Sequence, residues 1–307
     1  MTATMRSALR ALLFCSLWIF MGMGLANRGA AALEKAGPAQ SGSFTKADFD
    51  KHLGQLQKKI PSKDFTIVVT PPFVVIGDEP AETVRYRSAS TVNWAVEKLK
   101  KAYFKRDPHR ILDIWLFKDK ESYETNCKEI FGKTPDTPFG YFSEQDGALV
   151  MNISTGGGTL VHEIVHPFVA ANFPNCPAWF NEGLGSLYEQ SGELHGEIHG
   201  YTNWRLPRLQ EAIRKGKLPS FAALCRTTDA EFYEKDRGTN YAQARYLCYY
   251  LQQKDLLKTF YRRFLANSKD DPSGYRTLKA VLGREDMGEF QKQWQAYVLT
   301  LNYPNRD

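Results

Sequence analysis

The chain predicts an α+β fold in which a lobe built on a mixed sheet precedes a mainly helical lobe. Three observations carry this. Up to about residue 173, short β-branched or aromatic runs alternate with stretches of helical period. Beyond it, almost every apolar pattern has the helical period. Between the two, Gly156-Gly157-Gly158 separates the last strand of the first part from the helix that leads into the second. With 307 residues and 43% hydrophobic content there is enough chain for one large domain or two intimate lobes, and intrinsic disorder is not indicated. The formal charge of +6 is a mild excess that argues neither for nor against an anionic partner.

Residues 1–26 have the order of a secretory signal: a basic start with Arg6 and Arg10, an uncharged apolar run from Ala11, and small residues around Gly24-Leu25-Ala26. The apolar run is shorter than the roughly twenty residues of a membrane span. Cleavage is therefore expected near Ala26, with Ala30 to Ala32 as another cut site, and membrane attachment follows only if the segment stays uncleaved. The expected location is periplasmic or extracellular. Cys15 follows bulky Phe14, which makes it a poor lipidation site. Residues 27–43, rich in Ala and Gly with Pro38 and Ser41, read as a flexible spacer.

The sheet lobe spans 44–173. A helix from Thr45 to Ile60 places Phe49, Leu53, Leu56 and Ile60 on one face, and Pro61 ends it. Strands follow at Phe65 to Val69 and Phe73 to Ile76, on either side of Pro71-Pro72. Val92, Val96, Leu99 and Tyr103 mark a helix over Ser90 to Phe104; then come a strand at Ile111 to Phe117 and a helix at Lys120 to Phe131. Phe139 to Phe142 and Ala148 to Asn152 read as two more strands. If Ala148 to Asn152 lies on the sheet's edge beside a cleft, its backbone pairs with an extended peptide; the plain alternative is an interior strand. Pro167, directly after His166, removes a hydrogen bond to the carbonyl of Glu163 and is expected to end or bend the helix there.

The helical lobe spans 174–307. Asn172, Pro174, Asn175 and Pro177 form a turn between two helices. Later helices are rich in Tyr, Leu and Phe, with a break at Gly283. Their basic residues are interleaved with acidic ones rather than gathered in a stripe, so a nucleic-acid partner is not expected.

The chemistry lies where the lobes meet. On a helix, His162 and His166 stand four residues apart on one face, so two imidazoles can meet one metal ion. Glu163 starts from the neighbouring position, where its carboxylate can reach a water held on the metal without taking a ligand place. This is the H-E-x-x-H arrangement of zinc hydrolases, in which the metal acidifies a water and the Glu accepts the proton. Such a site needs a third protein ligand and one open position. Glu182, in Pro177-Ala178-Trp179-Phe180-Asn181-Glu182-Gly183-Leu184-Gly185, supplies it from a helix that doubles back. Two His, one Glu and an open place favour a single Zn2+ ion. Cys127, Cys176, Cys225 and Cys248 are an even number in an exported chain, so one or two structural disulfides are expected, with the pairing undecided. Cys176 as a further ligand would close the open position. His195 and His199 are also four apart, but flanking glycines argue for loop histidines near a cleft rather than a second metal site. His52 and His109 read as surface residues.

H-E-I-V-H followed by W-F-N-E-G-L-G resembles the gluzincins, the thermolysin-like and aminopeptidase-like zinc peptidases of the MA clan. The W-F-N-E-G-L wording is nearest the aminopeptidase branch, and the run from Gly158 to Glu189 is similar to an exported bacterial group in that clan. The resemblance implies a zincin-like fold, ligands His162, His166 and Glu182, and Glu163 as general base. It also implies a tyrosine donor for the oxyanion at the start of a later helix, for which Tyr241 is the first choice, ahead of His199, Tyr201 and Arg245. Two departures stand out. Aminopeptidases of the clan carry G-x-M-E-N before the metal helix, whose Glu holds the substrate's amino group; here the stretch reads Gly147-Ala148-Leu149-Val150-Met151-Asn152. Thermolysin-like enzymes place an Asp four residues after the ligand Glu to orient a His, where this chain has Ser186. The expected activity is that of an exported zinc metallopeptidase cutting peptides or proteins internally. The alternatives are a non-catalytic zinc-containing module that binds a peptide or cell wall, and a zinc hydrolase of a non-peptide ester or amide.

Overall fold

In the computed structural model, which describes residues 44–235 and 237–303, the chain has a mixed α+β fold. The expected signal segment and spacer lie outside the described residues. Thr45 opens α1 (Lys46–Leu56) with a reciprocal cap: its hydroxyl accepts from the Asp48 amide at 3.3 Å while the Asp48 carboxylate accepts from the Thr45 amide at 2.7 Å. After it come β1 (Thr66–Thr70) and β2 (Phe73–Gly77). Next, α2 (Ala81–Arg87) runs through a wider π-type stretch, Ser88–Asn93, into α3 (Trp94–Ala102). The helix expected over Ser90 to Phe104 is therefore the second half of a longer, irregular one. The lobe is completed by β3 (Leu112–Phe117), α4 (Lys120–Phe131), β4 (Gly140–Ser143) and β5 (Ala148–Asn152).

The five strands form one sheet in the order β1-β2-β3-β5-β4. β2, β3 and β5 run parallel, and β1 and β4 pair antiparallel on the outside. The three central strands are buried along their length, which is why they read as unbroken apolar runs. Ala148 to Asn152 is thus an interior strand, and the edge on its side of the sheet belongs to β4. A side-chain pattern of period two tells which face a residue takes but not which strand is its neighbour. One face, with Val74, Ile76, Trp115, Phe117 and Val150, packs under α1 and α4. His52 on α1 is tied to this sheet rather than free on the surface: its Nε2 lies 2.6 Å from Oδ1 of buried Asp113.

The other face, with Phe73, Val75, Ile114, Leu116 and Leu149, is covered by the rest of the chain. Here α5 (Gly158–Asn172) is followed by α6 (Ala178–Leu187), β6 (Ser191–Leu194) and β7 (Glu197–Gly200). The remaining helices are α7 (Leu206–Arg214), α8 (Phe221–Cys225), α9 (Asp229–Glu234), α10 (Arg237–Gln253), α11 (Leu257–Asn267), α12 (Tyr275–Leu282) and α13 (Met287–Thr300). Two expectations change. The segment with His195 and His199 is a hairpin, turned by His195 and Gly196 at φ 52° and 77°. And α5 continues through Pro167 to Asn172, whose side chain locks its end by accepting from the Lys105 and Arg106 amides and donating to the Arg106 carbonyl.

A single buried cluster runs from Phe73 in the sheet to Val298 in α13, so the core crosses the boundary at residue 173. The four cysteines are free thiols, against the expected disulfides. Cys127 lies in the core on the far face of the sheet from Cys225 and Cys248, and Cys176 packs against the near one, which separates Cys127 from any partner. Among the described residues no helix is long and apolar enough to cross a membrane.

Candidate metal centre

Glycine makes the approach to α5 possible. Gly156 sits at φ 105°, and a β-carbon on Gly158 would come within 2.1 Å of the Glu189 carbonyl oxygen. The first turn of α5 thereby seats directly on the chain leaving α6. Gly185 plays the same part lower down, where a β-carbon would lie 3.2 Å from the His162 ring. The opposite side of α6 is fitted to α10 by Gly183, 3.0 Å in the same sense from the Ala244 carbonyl.

Between α5 and α6 three side chains converge. His162 Nε2 lies 3.1 Å and His166 Nε2 3.9 Å from the same oxygen, Oε2 of Glu182. Their donor atoms all fall within 4.8 Å of one another, and among the described residues this is the only group of three or more His, Cys, Asp or Glu so placed. All three are buried, and this group could hold a metal ion. Glu163 is 1% exposed, with Oε2 3.9 Å from His166 Nε2 and Oε1 without a hydrogen-bond partner. A buried, unsatisfied carboxylate oxygen is costly.

Each converging side chain is held from behind. His166 Nδ1 donates to Asn181 Oδ1 at 3.0 Å, which turns the Nε2 lone pair toward Glu182. Tyr233, on α9, donates to Glu182 Oε1 at 2.7 Å and leaves Oε2 facing the two imidazoles. Behind His162, Glu189 Oε1 stands 3.3 Å from Nδ1, out of line for a well-directed hydrogen bond. That carboxylate is fixed by Arg205 through Nη2 at 2.6 Å and Nε at 3.0 Å, and by Asn203 Nδ2 at 3.0 Å. Ser186, at the position where thermolysin-like enzymes have an orienting Asp, has its hydroxyl buried without a partner, and the carboxylate behind His162 is that of Glu189.

The charges follow from this packing. Burial pushes the Glu163 carboxyl up, against the pull of His162 and His166. For His162 burial opposes the imidazolium, but Glu182 and Glu189 outweigh it and raise the group to about 10. Burial also disfavours the Glu182 carboxylate, yet His166, His162 and Tyr233 hold it down at about 2. Glu189 is lowered too: Arg205 and His162 outweigh its burial.

The residues singled out in the sequence divide cleanly. His162, Glu163, His166 and Glu182 come together. Tyr241 is buried on α10, with its ring 6.3 Å from that of Tyr233, and lines a cavity beside the cluster. His199 lies apart from the cluster, where its Nε2 accepts from Gln252 and Gln253 at 3.3 and 3.2 Å, and Cys176 is outside the group as well. Asn181, Glu189 and Tyr233 were not anticipated. A signal exists for Asn181, which adjoins Glu182, whereas Glu189 lies past the end of α6, where helical spacing gives no cue. For Tyr233, one of 15 tyrosines, there was none. No family model matches the chain, and neither does any curated protein.

Proposed function

We propose that the chain is a zinc-dependent metallopeptidase with a zincin-like, gluzincin-type site. The observation that carries this is the meeting of His162, His166 and Glu182 around one point, with the Glu163 carboxylate beside it and outside the ligand set. The donor set fits zinc. A tetrahedral ion with bonds of about 2.1 Å separates its ligand atoms by roughly 3.4 Å, and the distances of 3.1 and 3.9 Å to Glu182 Oε2 bracket that value. Two imidazoles and one carboxylate also leave the open position that catalysis needs.

When bound, zinc supplies Lewis acidity that polarises the scissile carbonyl and makes a water easier to deprotonate. Glu163 accepts the proton of the attacking water and returns it to the leaving amine; its upward-shifted carboxyl suits both directions of transfer. Asn181 and Glu189 stand behind the two imidazoles, Tyr233 holds Glu182, and Tyr241, which lines the cavity beside the cluster, is the phenol whose hydroxyl can be donated to the developing oxyanion. With no amine-anchoring Glu before α5, internal cleavage is favoured over removal of N-terminal residues. Export follows from the signal order of residues 1–26.

The test is mass-spectrometric cleavage of a diverse peptide library by the zinc-loaded protein, beside Glu163→Gln. Cuts by the wild type, slowed about 10²- to 10⁴-fold in Glu163→Gln at equal zinc content, are expected. Full activity in Glu163→Gln would sink the mechanism. One zinc bound to each protein with no cuts from either would favour a binding module.

A further inference from the structure

Beside the first turn of α5 lies a cavity of about 1000 Å³. Its rim and walls carry Trp94, Phe139, Val161 and Trp204, and Gly156, Gly157 and Gly158 leave bare backbone along one side. Gly158 cannot carry a side chain, because the Glu189 carbonyl occupies that space. Trp204, half exposed, lies flat against the Arg205 guanidinium at 4.1 Å. Glu189 faces this cavity and also stands 3.3 Å from His162 Nδ1, so the cavity and the metal cluster share a wall.

Two features say what the cavity takes. First, the charged groups that line it balance, Glu189 and Glu193 against Arg205 and Arg208, with Glu189 paired to Arg205 and Glu193 3.0 Å from Lys98 Nζ outside the lining. What the aromatic rings then offer is apolar contact area. Second, Phe139 immediately precedes β4, whose outer edge is the free edge of the sheet on that side, and β4 packs beside α5. An extended peptide added to that edge directs alternate side chains to opposite faces, so one substrate position is turned toward the cavity.

We propose that this cavity receives a large aromatic side chain of the peptide substrate, at one fixed position near the cleaved bond; the assignment rests on the peptidase reading above. The pocket is the chain's specificity determinant, and small residues at that position leave it unfilled.

The experiment is a library digest by zinc-loaded wild type, Ser90→Trp and Thr91→Trp, the last two placing an indole into the cavity from its α2–α3 side. Wild-type cuts are expected to favour Phe, Tyr or Trp over Ala at a single position by about tenfold or more. In either filled variant that preference should fall or reverse toward Gly and Ala. Ser90 is exposed, so Ser90→Trp keeps the test alive if Thr91→Trp fails to fold. Calorimetric binding of matched Phe and Ala peptides to zinc-loaded Glu163→Gln gives a second readout independent of turnover, with the Phe peptide the tighter. Cuts without a positional preference, a preference untouched by either indole, or a preference for acidic residues pointing to Arg208 would each overturn the pocket assignment and leave the peptidase standing. No cuts at all, with zinc bound, would remove both.

Discussion

Glu189 stands seven residues beyond Glu182, past the end of α6, yet its carboxylate reaches the back of His162. The motif H-E-x-x-H made His162, Glu163 and His166 legible because helical spacing alone fixes their common face, and Glu182 followed from the need for a third ligand. Of the groups that hold these four, Asn181 is on α6 beside the ligand and is legible from that adjacency, whereas Glu189 and Tyr233 act from chain beyond the end of α6, where no helical period constrains position. Ser186, which stands where thermolysin-like enzymes have an orienting Asp, has its hydroxyl buried without a partner, and the carboxylate behind His162 comes from Glu189 instead. On the zinc reading, Glu189→Ala should weaken zinc affinity by about 10- to 100-fold, whereas Ser186→Ala should leave it within about twofold. A competitive chelator titration of both variants decides this. Equal losses would mean that Glu189 serves only to balance Arg205.

Helix α6 is seated against α5 and α10 through its glycines. Glycine inside a helix is less favourable than alanine by about 1 kcal/mol, so propensity alone makes Gly183→Ala and Gly185→Ala stabilising. The packing says the opposite. A β-carbon at 183 meets the Ala244 carbonyl at 3.0 Å and Cys248 Sγ at 3.1 Å, and one at 185 meets the His162 ring at 3.2 Å. Gly183→Ala should therefore lower the midpoint of thermal unfolding, while Gly185→Ala should chiefly reduce zinc affinity by displacing His162. Calorimetry and metal titration on the same two proteins separate the effects, and a rise in both quantities would show that propensity wins. These glycines were visible in the sequence only as part of a resemblance, since their purpose lies in elements that period cannot bring together. The same limit explains β5, whose apolar run is legible but whose place between β3 and β4 is a tertiary fact, and the hairpin at His195, where glycine flanks read as loop.

For the whole molecule, the division into a sheet lobe and a helical lobe is a statement about patterns, whereas stability depends on which side chains share a core. Here one cluster joins Phe73, Leu149 and Phe168 to Phe260, Trp294 and Val298. A shared core implies a single cooperative transition, because neither half retains its contacts in that cluster when the other melts. The group that could hold a metal ion sits inside this unit, with His162 and His166 on α5 and Glu182 on α6, so on the zinc reading an ion that binds only the folded chain stabilises all of it. At a free zinc concentration one hundred times the dissociation constant the gain is about 2.7 kcal/mol. For a chain of this size that corresponds to a rise in midpoint of roughly 4–5 °C. Chelation should lower the midpoint by that amount while leaving one transition in both states, as differential scanning calorimetry would record. Two transitions after chelation would mean that the ion, and not the core, joins α6 and the helices behind it to the sheet. In that event the His162, His166 and Glu182 cluster would be structural in the first place, and the bare oxygen of Glu163 would be left without the role assigned to it.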